Sequence, residues 1–218
     1  MRARLRLILS VGLPLILFGA AVIWAADADI LLLGRLGPPE QAEALPVGWQ
    51  PLIFPKISTR TQYRIVREGD RFVLRAESRA AASGLVRPVD LDPRTYRSIS
   101  WRWKVESVLA RGDARRKDGD DYPARVYVTF RYDPDKATQW EKAQYGAYKL
   151  FYGEYPPKGA LNYIWDNRLP PGTTIDNAFT DRAKMIVVRS GPAEVGQWLT
   201  EERDLYEDYR RLFGQAPP

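Results

Sequence analysis

The chain contains neither cysteine nor histidine. Without cysteine it has no disulfide bond, no thiolate metal ligand and no cysteine nucleophile. Without histidine it cannot build a Ser-His-Asp triad, nor a zinc site of the usual nitrogen and sulfur type. Any catalysis would therefore depend on carboxylates, lysine, tyrosine or a hard metal ion held by oxygen ligands.

The residues that are present describe an ordinary globular protein. Hydrophobic residues make up 45% of the 218 positions and charged residues 28%, which is not the composition of a disordered chain. Twelve tyrosines and seven tryptophans are more aromatic residues than a helical protein usually needs. Because aromatic side chains fit the half-buried surface of a sheet, this content favours strands.

The N-terminal stretch "MRARLRLILSVGLPLILFGAAVIWAADAD" predicts export. Three arginines precede an uncharged, mostly apolar run over residues 7–26. We expect residues 1–28 to be a signal peptide cleaved after Ala28; an uncleaved anchor in the inner membrane, formed by residues 7–26, is the alternative. Either way, we expect a periplasmic or exported protein that meets the membrane only through this segment and binds no nucleic acid, despite its net charge of +6.

The rest of the chain divides into a linker and one domain. Residues 29–48 mix proline, glycine and alanine without sustained periodicity, and we interpret them as a linker. From residue 49 the pattern is strand after strand, so residues 49–218 are predicted to form one β-sandwich domain.

Several segments carry the alternation of apolar and polar residues that is typical of strands. "TQYRIV" and "RFVLRAES" flank a glycine turn and predict a hairpin. "SISWRWKVES" and "ARVYVTFRY" each place their apolar residues on one face, and "ALNYIWDN" groups Leu161, Tyr163 and Trp165. "AKMIVVRSG" is apolar on both faces, which predicts a position in the middle of a sheet.

Two segments have helical spacing instead, over residues 135–152 and 200–213. The predicted fold is therefore mainly β: an antiparallel β-sandwich of the jelly-roll type with two inserted or peripheral helices. Trp101 and Trp103 lie beside aliphatic residues and are predicted to belong to the core. Trp140 is predicted to pack the first helix against a sheet.

The stretch "KDGDDYPARVYVTF" places Asp118, Asp120 and Asp121 directly before a strand. A turn with local ion pairs is the preferred interpretation, because aspartate and glycine favour turns. Contact with a ligand and coordination of calcium are the alternatives. The cations of residues 115–117 would weaken binding of a metal ion, so we expect no cofactor, with calcium as the metal this turn would take if it held one.

Five residues are predicted to contact a polar ligand. Arg125 lies on the outer face of its strand beside Tyr127, where it could read hydroxyl groups together with the acidic turn. Trp165 and Asn167 lie where a strand ends and a polar loop begins. The predicted ligand-binding set is Asp120, Asp121, Arg125, Trp165 and Asn167, and no catalytic residue is predicted.

Several stretches together resemble a known family. They are "GWQPLIFPKI", "RFVLRAESRAAASGLVRPVDLDPRTYRSISWRWKVE", "KDGDDYPARVYVTF", "ALNYIWDN", "DRAKMIVVRSG" and "WLTEERDLYEDYRRLFG". They resemble the exported bacterial family of unknown function DUF3047. The resemblance implies an envelope location and a jelly roll similar to galactose-binding and carbohydrate-binding modules, but no established activity.

The family pattern continues with further strands after the segment that resembles "YEDYRRLFGQAPP", whereas this chain ends at Pro218. We therefore expect the sandwich to lack its last strands. Either an envelope protein supplies the missing strand as a partner, or the copy is truncated; the sequence leaves both alternatives open.

These observations favour a non-enzymatic binding module for a polar ligand such as an envelope glycan. A carboxylate-based glycan hydrolase or lyase is the first alternative, because paired carboxylates are the catalytic route open to this composition. A structural or assembly factor of the cell envelope is the second, with the unfinished sheet as its docking edge.

Overall fold

A computed structural model describes residues 30–34, 36–38, 45–152 and 155–218. The predicted signal or anchor segment and part of the predicted linker lie outside these residues. The chain forms two compact units, one ending at Pro88 and the other covering Val89–Pro218. Among the helices of the described ranges, none is both long and apolar enough to cross a membrane.

The first unit consists of two antiparallel ribbons. Its strands are β1 (Gln50–Leu52), β2 (Gln62–Glu68), β3 (Arg71–Glu77) and β4 (Gly84–Val86). β1 pairs with β4, and β2 pairs with β3. The predicted hairpin is confirmed: Gly69 has a φ of 62°, a conformation that glycine adopts without strain, and it lets β2 turn directly into β3.

The second unit contains the remaining strands and both helices. In chain order they are β5 (Ser98–Trp103), β6 (Ala124–Phe130), α1 (Gln139–Tyr152), β7 (Gly159–Asp166), β8 (Thr174–Asn177), β9 (Thr180–Ser190), β10 (Leu199–Asp204) and α2 (Leu205–Phe213). Four strands form a sheet in the order β6-β7-β9-β8, and β5 pairs with β10. The prediction of a mainly β fold with two helices is confirmed.

The four-stranded sheet is mixed rather than purely antiparallel. β6 pairs with β7, and β8 with β9, in antiparallel fashion, whereas β7 and β9 run parallel. The expected antiparallel arrangement is wrong for this pair. The reason is that β8 occupies the edge of the sheet. β9 follows β8, runs antiparallel to it and lies between β8 and β7, so β9 has the same direction as β7. The predicted position of "AKMIVVRSG" inside a sheet is confirmed.

One face of this sheet carries the main core. Leu161, Tyr163 and Trp165 of β7 are fully buried there. β5 packs on the same face: the Trp101 ring lies 5.3 Å from the Tyr163 ring, and the Trp103 ring 5.9 Å from the Trp165 ring, measured between centroids. The prediction that Trp101 and Trp103 belong to the core is confirmed.

The second predicted helix is shorter than expected, because residues 199–204 form β10 against β5. Asp204 ends this strand and caps α2, its Oδ1 accepting a hydrogen bond of 2.8 Å from the Glu207 amide. The strand was missed because its buried residue is charged. Glu201 accepts hydrogen bonds from Trp103 Nε1 at 3.0 Å and Arg189 Nε at 2.7 Å, and apolar periodicity does not register such a residue.

The first predicted helix is confirmed as α1. Its start is a capping box: Glu141 Oε2 accepts from the Thr138 amide at 3.0 Å, while Thr138 Oγ1 accepts from the Glu141 amide at 3.3 Å. Trp140 is 75% exposed, so the prediction that it packs the helix against a sheet is wrong. It lies in the first turn of the helix, on a side that faces solvent.

A buried carboxylate fastens α2 to the sheet. Asp208 accepts hydrogen bonds from Tyr163 Oη at 3.0 Å, from Arg203 Nη2 at 2.7 Å and from Arg211 Nη2 at 3.1 Å. Its side chain is 6% exposed. The neighbouring Glu207 is exposed and pairs with Arg210 alone among the described contacts.

We expect Asp208→Asn to lower the free energy of unfolding by about 3 kcal/mol, because the buried network loses its carboxylate and the partly buried Arg203 loses its charged partner. Glu207→Gln, which breaks an exposed pair on the same helix, should cost less than about 1 kcal/mol. Urea denaturation of both variants measures the difference, and equal losses would contradict the role given to Asp208.

Candidate functional site

The acidic turn lies in the loop between β5 and β6. Asp113 is its buried anchor: its carboxylate accepts two hydrogen bonds from the Arg115 guanidinium, at 2.8 and 2.9 Å, and its amide donates to the Gly119 carbonyl at 2.8 Å. The hydrogen bond from Arg115 is the main cause that lowers the pKa of Asp113 to about 2. Asp113 is therefore a charged structural residue at neutral pH.

The three aspartates of the predicted turn have different partners. Asp118 forms an exposed ion pair with Arg116, whose Nη2 lies 2.8 Å from Oδ2, which agrees with the preferred interpretation of a turn with local ion pairs. Asp120 turns toward the sheet. Across the described ranges, no group of three acidic or other metal-ligating side chains could hold a metal ion.

Asp120 is the centre of a polar cluster. Its Oδ1 accepts a hydrogen bond from Tyr122 Oη at 2.8 Å and another from Asn177 Nδ2 at 3.4 Å. Its Oδ2 lies 3.8 Å from Arg125 Nη1, which is a loose ion pair. Burial and the hydrogen bond to Asp120 raise the pKa of Tyr122, so this hydroxyl remains a donor at neutral pH.

The cluster continues across the outer face of the sheet, opposite the main core. Tyr127 of β6 is the cross-strand partner of Asn162 on β7 and is 50% exposed. Burial of its hydroxyl raises the pKa of Tyr127. Asn162 and Asn177 both donate to Met185 Sδ, at 3.4 and 3.7 Å, which links the two amides. We call the set Asp120, Tyr122, Arg125, Tyr127, Asn162 and Asn177 the outer-face patch.

Asn162 is the unusual member of the outer-face patch. It is fully buried, and its Oδ1 has no hydrogen-bond partner. A buried acceptor without a partner costs about 1–3 kcal/mol, so its presence in an otherwise apolar strand needs a reason other than stability. Sequence reasoning missed Asn162 and Asn177. The sequence did carry a signal for Asn162: apart from Asp166 at the end of β7, it is the one polar residue in this otherwise apolar strand.

Two predicted ligand residues fasten the loop instead. Asn167 Nδ2 donates to the Asp121 carbonyl oxygen at 2.9 Å, and Asn167 Oδ1 accepts from the Leu109 amide at 2.6 Å. Asp121 takes part through its backbone, while its side chain is exposed. These contacts join the loop before β6 to the segment after β7, and they use one donor and one acceptor lone pair of the Asn167 amide.

Trp165 is separated from the outer-face patch. It is fully buried, its indole nitrogen donates to the Gly191 carbonyl at 3.1 Å, and its ring packs against Trp103. The prediction that Trp165 contacts a ligand is wrong, because the alternation that places Leu161 and Tyr163 in the core places Trp165 there as well. Its neighbour Asp166 lies on the other face, where Oδ1 accepts from the Arg168 and Leu169 amides.

The structure thus brings together Asp120 and Arg125 of the predicted set and adds four side chains to them.

Comparison with family models gives a match over residues 47–218 to the family described as "Protein of unknown function (DUF3047)". The chain belongs to this family. The resemblance seen in the sequence is therefore confirmed, and the match includes all four strands of the first unit and the whole second unit of the DUF3047 protein. Neither the curated proteins nor the solved structures gave a match.

We expect Asn167→Ala to loosen the loop, because both of its clamping hydrogen bonds are lost. The free energy of unfolding should fall by about 1–2 kcal/mol, and the Leu109 amide should exchange with solvent faster. Asp121→Ala is the matched control, since it keeps the backbone carbonyl that Asn167 uses. If Asp121→Ala had the same effect as Asn167→Ala in hydrogen exchange, the assignment would be wrong.

The low pKa of Asp113 predicts a dependence of stability on pH. Its pKa falls from 3.8 to about 2 on folding, so the folded protein binds this proton less readily than the unfolded chain. The stabilisation is present at neutral pH and is lost as the pH falls from about 4 toward 2. Asp113→Asn should therefore give a shallower loss of unfolding free energy over this range, measured by urea titrations at several pH values. If the unfolding free energy of Asp113→Asn fell with pH as steeply as that of the wild-type protein, the role given to Asp113 would be wrong.

Proposed function

We propose that this DUF3047 protein is a non-enzymatic module that binds a hydroxyl-rich ligand, such as an envelope glycan, at the outer-face patch. The observation that carries the proposal is the meeting of a carboxylate, a guanidinium, amides and a half-exposed aromatic ring on one face of a sheet. Asp120, Arg125 and Asn177 supply the acceptors and donors, and Tyr127 supplies the ring.

Sugars suit such a surface for two reasons. Neighbouring hydroxyl groups both donate and accept, so they match a carboxylate placed beside a guanidinium. The faces of a sugar ring that carry C–H groups can pack on an aromatic side chain. The ion pair between Arg125 and Asp120 is long at 3.8 Å, so a ligand hydroxyl could bridge the two groups without breaking a strong contact.

The unpartnered Oδ1 of Asn162 gives independent support. A buried acceptor without a partner calls for an explanation, and a donor supplied by a ligand is the one we adopt. Asn162 lies beside Tyr127 in register and shares Met185 with Asn177. A ligand hydroxyl group that reaches this oxygen would supply the missing donor.

The proposal includes a finer fold and location. We infer that the module is a jelly-roll sandwich located in the periplasm or exported from the cell by its N-terminal segment. The packing of Trp101 on Tyr163, which joins the β5–β10 pair to the four-stranded sheet, supports the sandwich. An envelope protein that completes the sheet belongs to the same proposal.

The enzyme alternative receives less support from the described residues. Glycan hydrolysis needs two carboxyl groups that face each other across the scissile bond. The outer-face patch contains a single carboxylate, Asp120, and Asp166 nearby is fully buried. Tyr122 would be a poor base for a lyase, because its pKa is raised. An assembly role in the envelope remains the second alternative.

The experiment is a binding titration of the 218-residue chain with neutral and uronic-acid oligosaccharides prepared from bacterial envelope polysaccharide. We expect Tyr127→Ala and Arg125→Ala to weaken binding at least about tenfold, which corresponds to the loss of about 1.4 kcal/mol. Both residues are exposed, so the variants should fold. Trp140→Ala is the control, because it removes an exposed aromatic ring elsewhere. Binding by both patch variants at the wild-type affinity would rule out the outer-face patch as the site.

A further inference from the structure

A groove of about 430 Å³ lies within the second unit, away from the residues of the outer-face patch. It is bounded by α1, by the residue before β7, by the first half of β9 and by the C-terminal end of α2. Three cationic side chains line it: Lys158, Arg182 and Lys184. Arg182 and Lys184 lie two residues apart on β9, and Lys158 directly precedes β7, so the fold brings the lysine before β7 to the two cations of β9.

The Lys158 ammonium keeps hydrogen-bonding capacity toward the groove. It pairs with Glu141 Oε1, while Glu141 Oε2 is occupied by the Thr138 cap. An ammonium has three N–H donors, and the described contacts of Lys158 use one of them. Because its side chain is only 18% exposed, its charge is partly shielded from water, and interactions with a ligand are stronger there than at an open surface.

The other two cations lie against aromatic rings. The Lys184 ammonium pairs with Asp176 and lies 5.3 Å from the centroid of the Phe213 ring. The Arg182 guanidinium lies 4.7 Å from the centroid of the Tyr145 ring. An arginine stacked in this way presents its edge N–H groups to an incoming acceptor.

The wall behind Phe213 contains a further unused donor. Tyr209 is fully buried, its ring stacks on Phe213 with centroids 4.3 Å apart, and its hydroxyl has no partner. Tyr209 does not line the groove itself, whose charged donors are Lys158, Arg182 and Lys184. The lining carboxylates of the groove are Glu141, which is already occupied, and the exposed Asp181.

We propose that this groove binds an oxyanion, the carboxylate or phosphate group of a ligand, between Lys158, Arg182 and Lys184. Lysine and arginine have no acceptor atoms, so a ligand must bring acceptors, and charged acceptors form the stronger hydrogen bonds. Leu212 and Phe213 line the same groove and would contact the apolar part of the ligand. The proposal is independent of glycan binding at the outer-face patch.

The oxyanion could belong to a free small molecule or to the headgroup of an anionic phospholipid, and one set of variants distinguishes them. The first probe is inorganic phosphate, titrated into the 218-residue chain and followed by thermal unfolding. We expect phosphate to raise the melting temperature of the wild-type protein. Arg182→Gln should weaken the apparent affinity at least tenfold, whereas Arg210→Gln, the same change at an exposed arginine outside the groove, should leave it within twofold.

The second probe is sedimentation with vesicles of phosphatidylglycerol, compared with vesicles of phosphatidylcholine. Loss of binding to phosphatidylglycerol in Arg182→Gln, but not in Arg210→Gln, would identify a lipid headgroup. A phosphate effect that depends on Arg182, without a matching change in sedimentation, would identify a free anion. Lys184→Gln replaces Arg182→Gln if that variant does not fold. If neither probe distinguishes the groove variant from Arg210→Gln, the proposal is overturned.

Discussion

The packing of the second unit depends on strand β7, both faces of which are buried. All eight residues of this strand are buried, between β6 on one side and β9 on the other. One face supplies Leu161, Tyr163 and Trp165 to the main core, and the other holds Asn162 and Asp166 away from water. A polar side chain in such a strand must find its partners within the protein, or from a ligand. The position of this strand therefore shapes both the core and the outer-face patch.

Charged side chains complete the core where apolar residues are lacking. Glu201 joins β10 to Arg189 on β9, and Asp208 joins α2 to Tyr163 on β7. Each carboxylate is surrounded by donors, which is the arrangement in which a buried charge is tolerated. The second unit thus uses hydrogen-bonded ion pairs as packing elements, and the removal of one partner is more damaging than the removal of an exposed pair.

These pairs also show what the sequence could predict. The hairpin around Gly69, the alternation in β5 and β6, and the presence of α1 follow from local spacing and were predicted, although α1 begins at Gln139 rather than at residue 135. β10 was missed because its inward residue is Glu201, whose partner lies twelve positions away on another strand. The parallel pairing of β7 with β9 depends on where β8 is placed, which no local pattern encodes. Asp120 and Arg125 were found because they are close in sequence, whereas Asn162 and Asn177 join them only through the register of the sheet. Trp165 was misplaced because a loop boundary was given more weight than the alternation of its own strand.

The insertion of β9 between β7 and β8 has a consequence for the order of folding. β8 and β9 are joined by a short turn and can pair early, since their contacts are local in sequence. β9 also pairs with β7, so a β8–β9 hairpin that forms early can dock on β7 as one unit. The pairing of β5 with β10 joins residues roughly a hundred positions apart and closes the largest loop. Before that closure, the edge of β5 that pairs with β10 is open and offers its backbone hydrogen-bonding groups to another chain, so aggregation competes with folding until the last strand is in place.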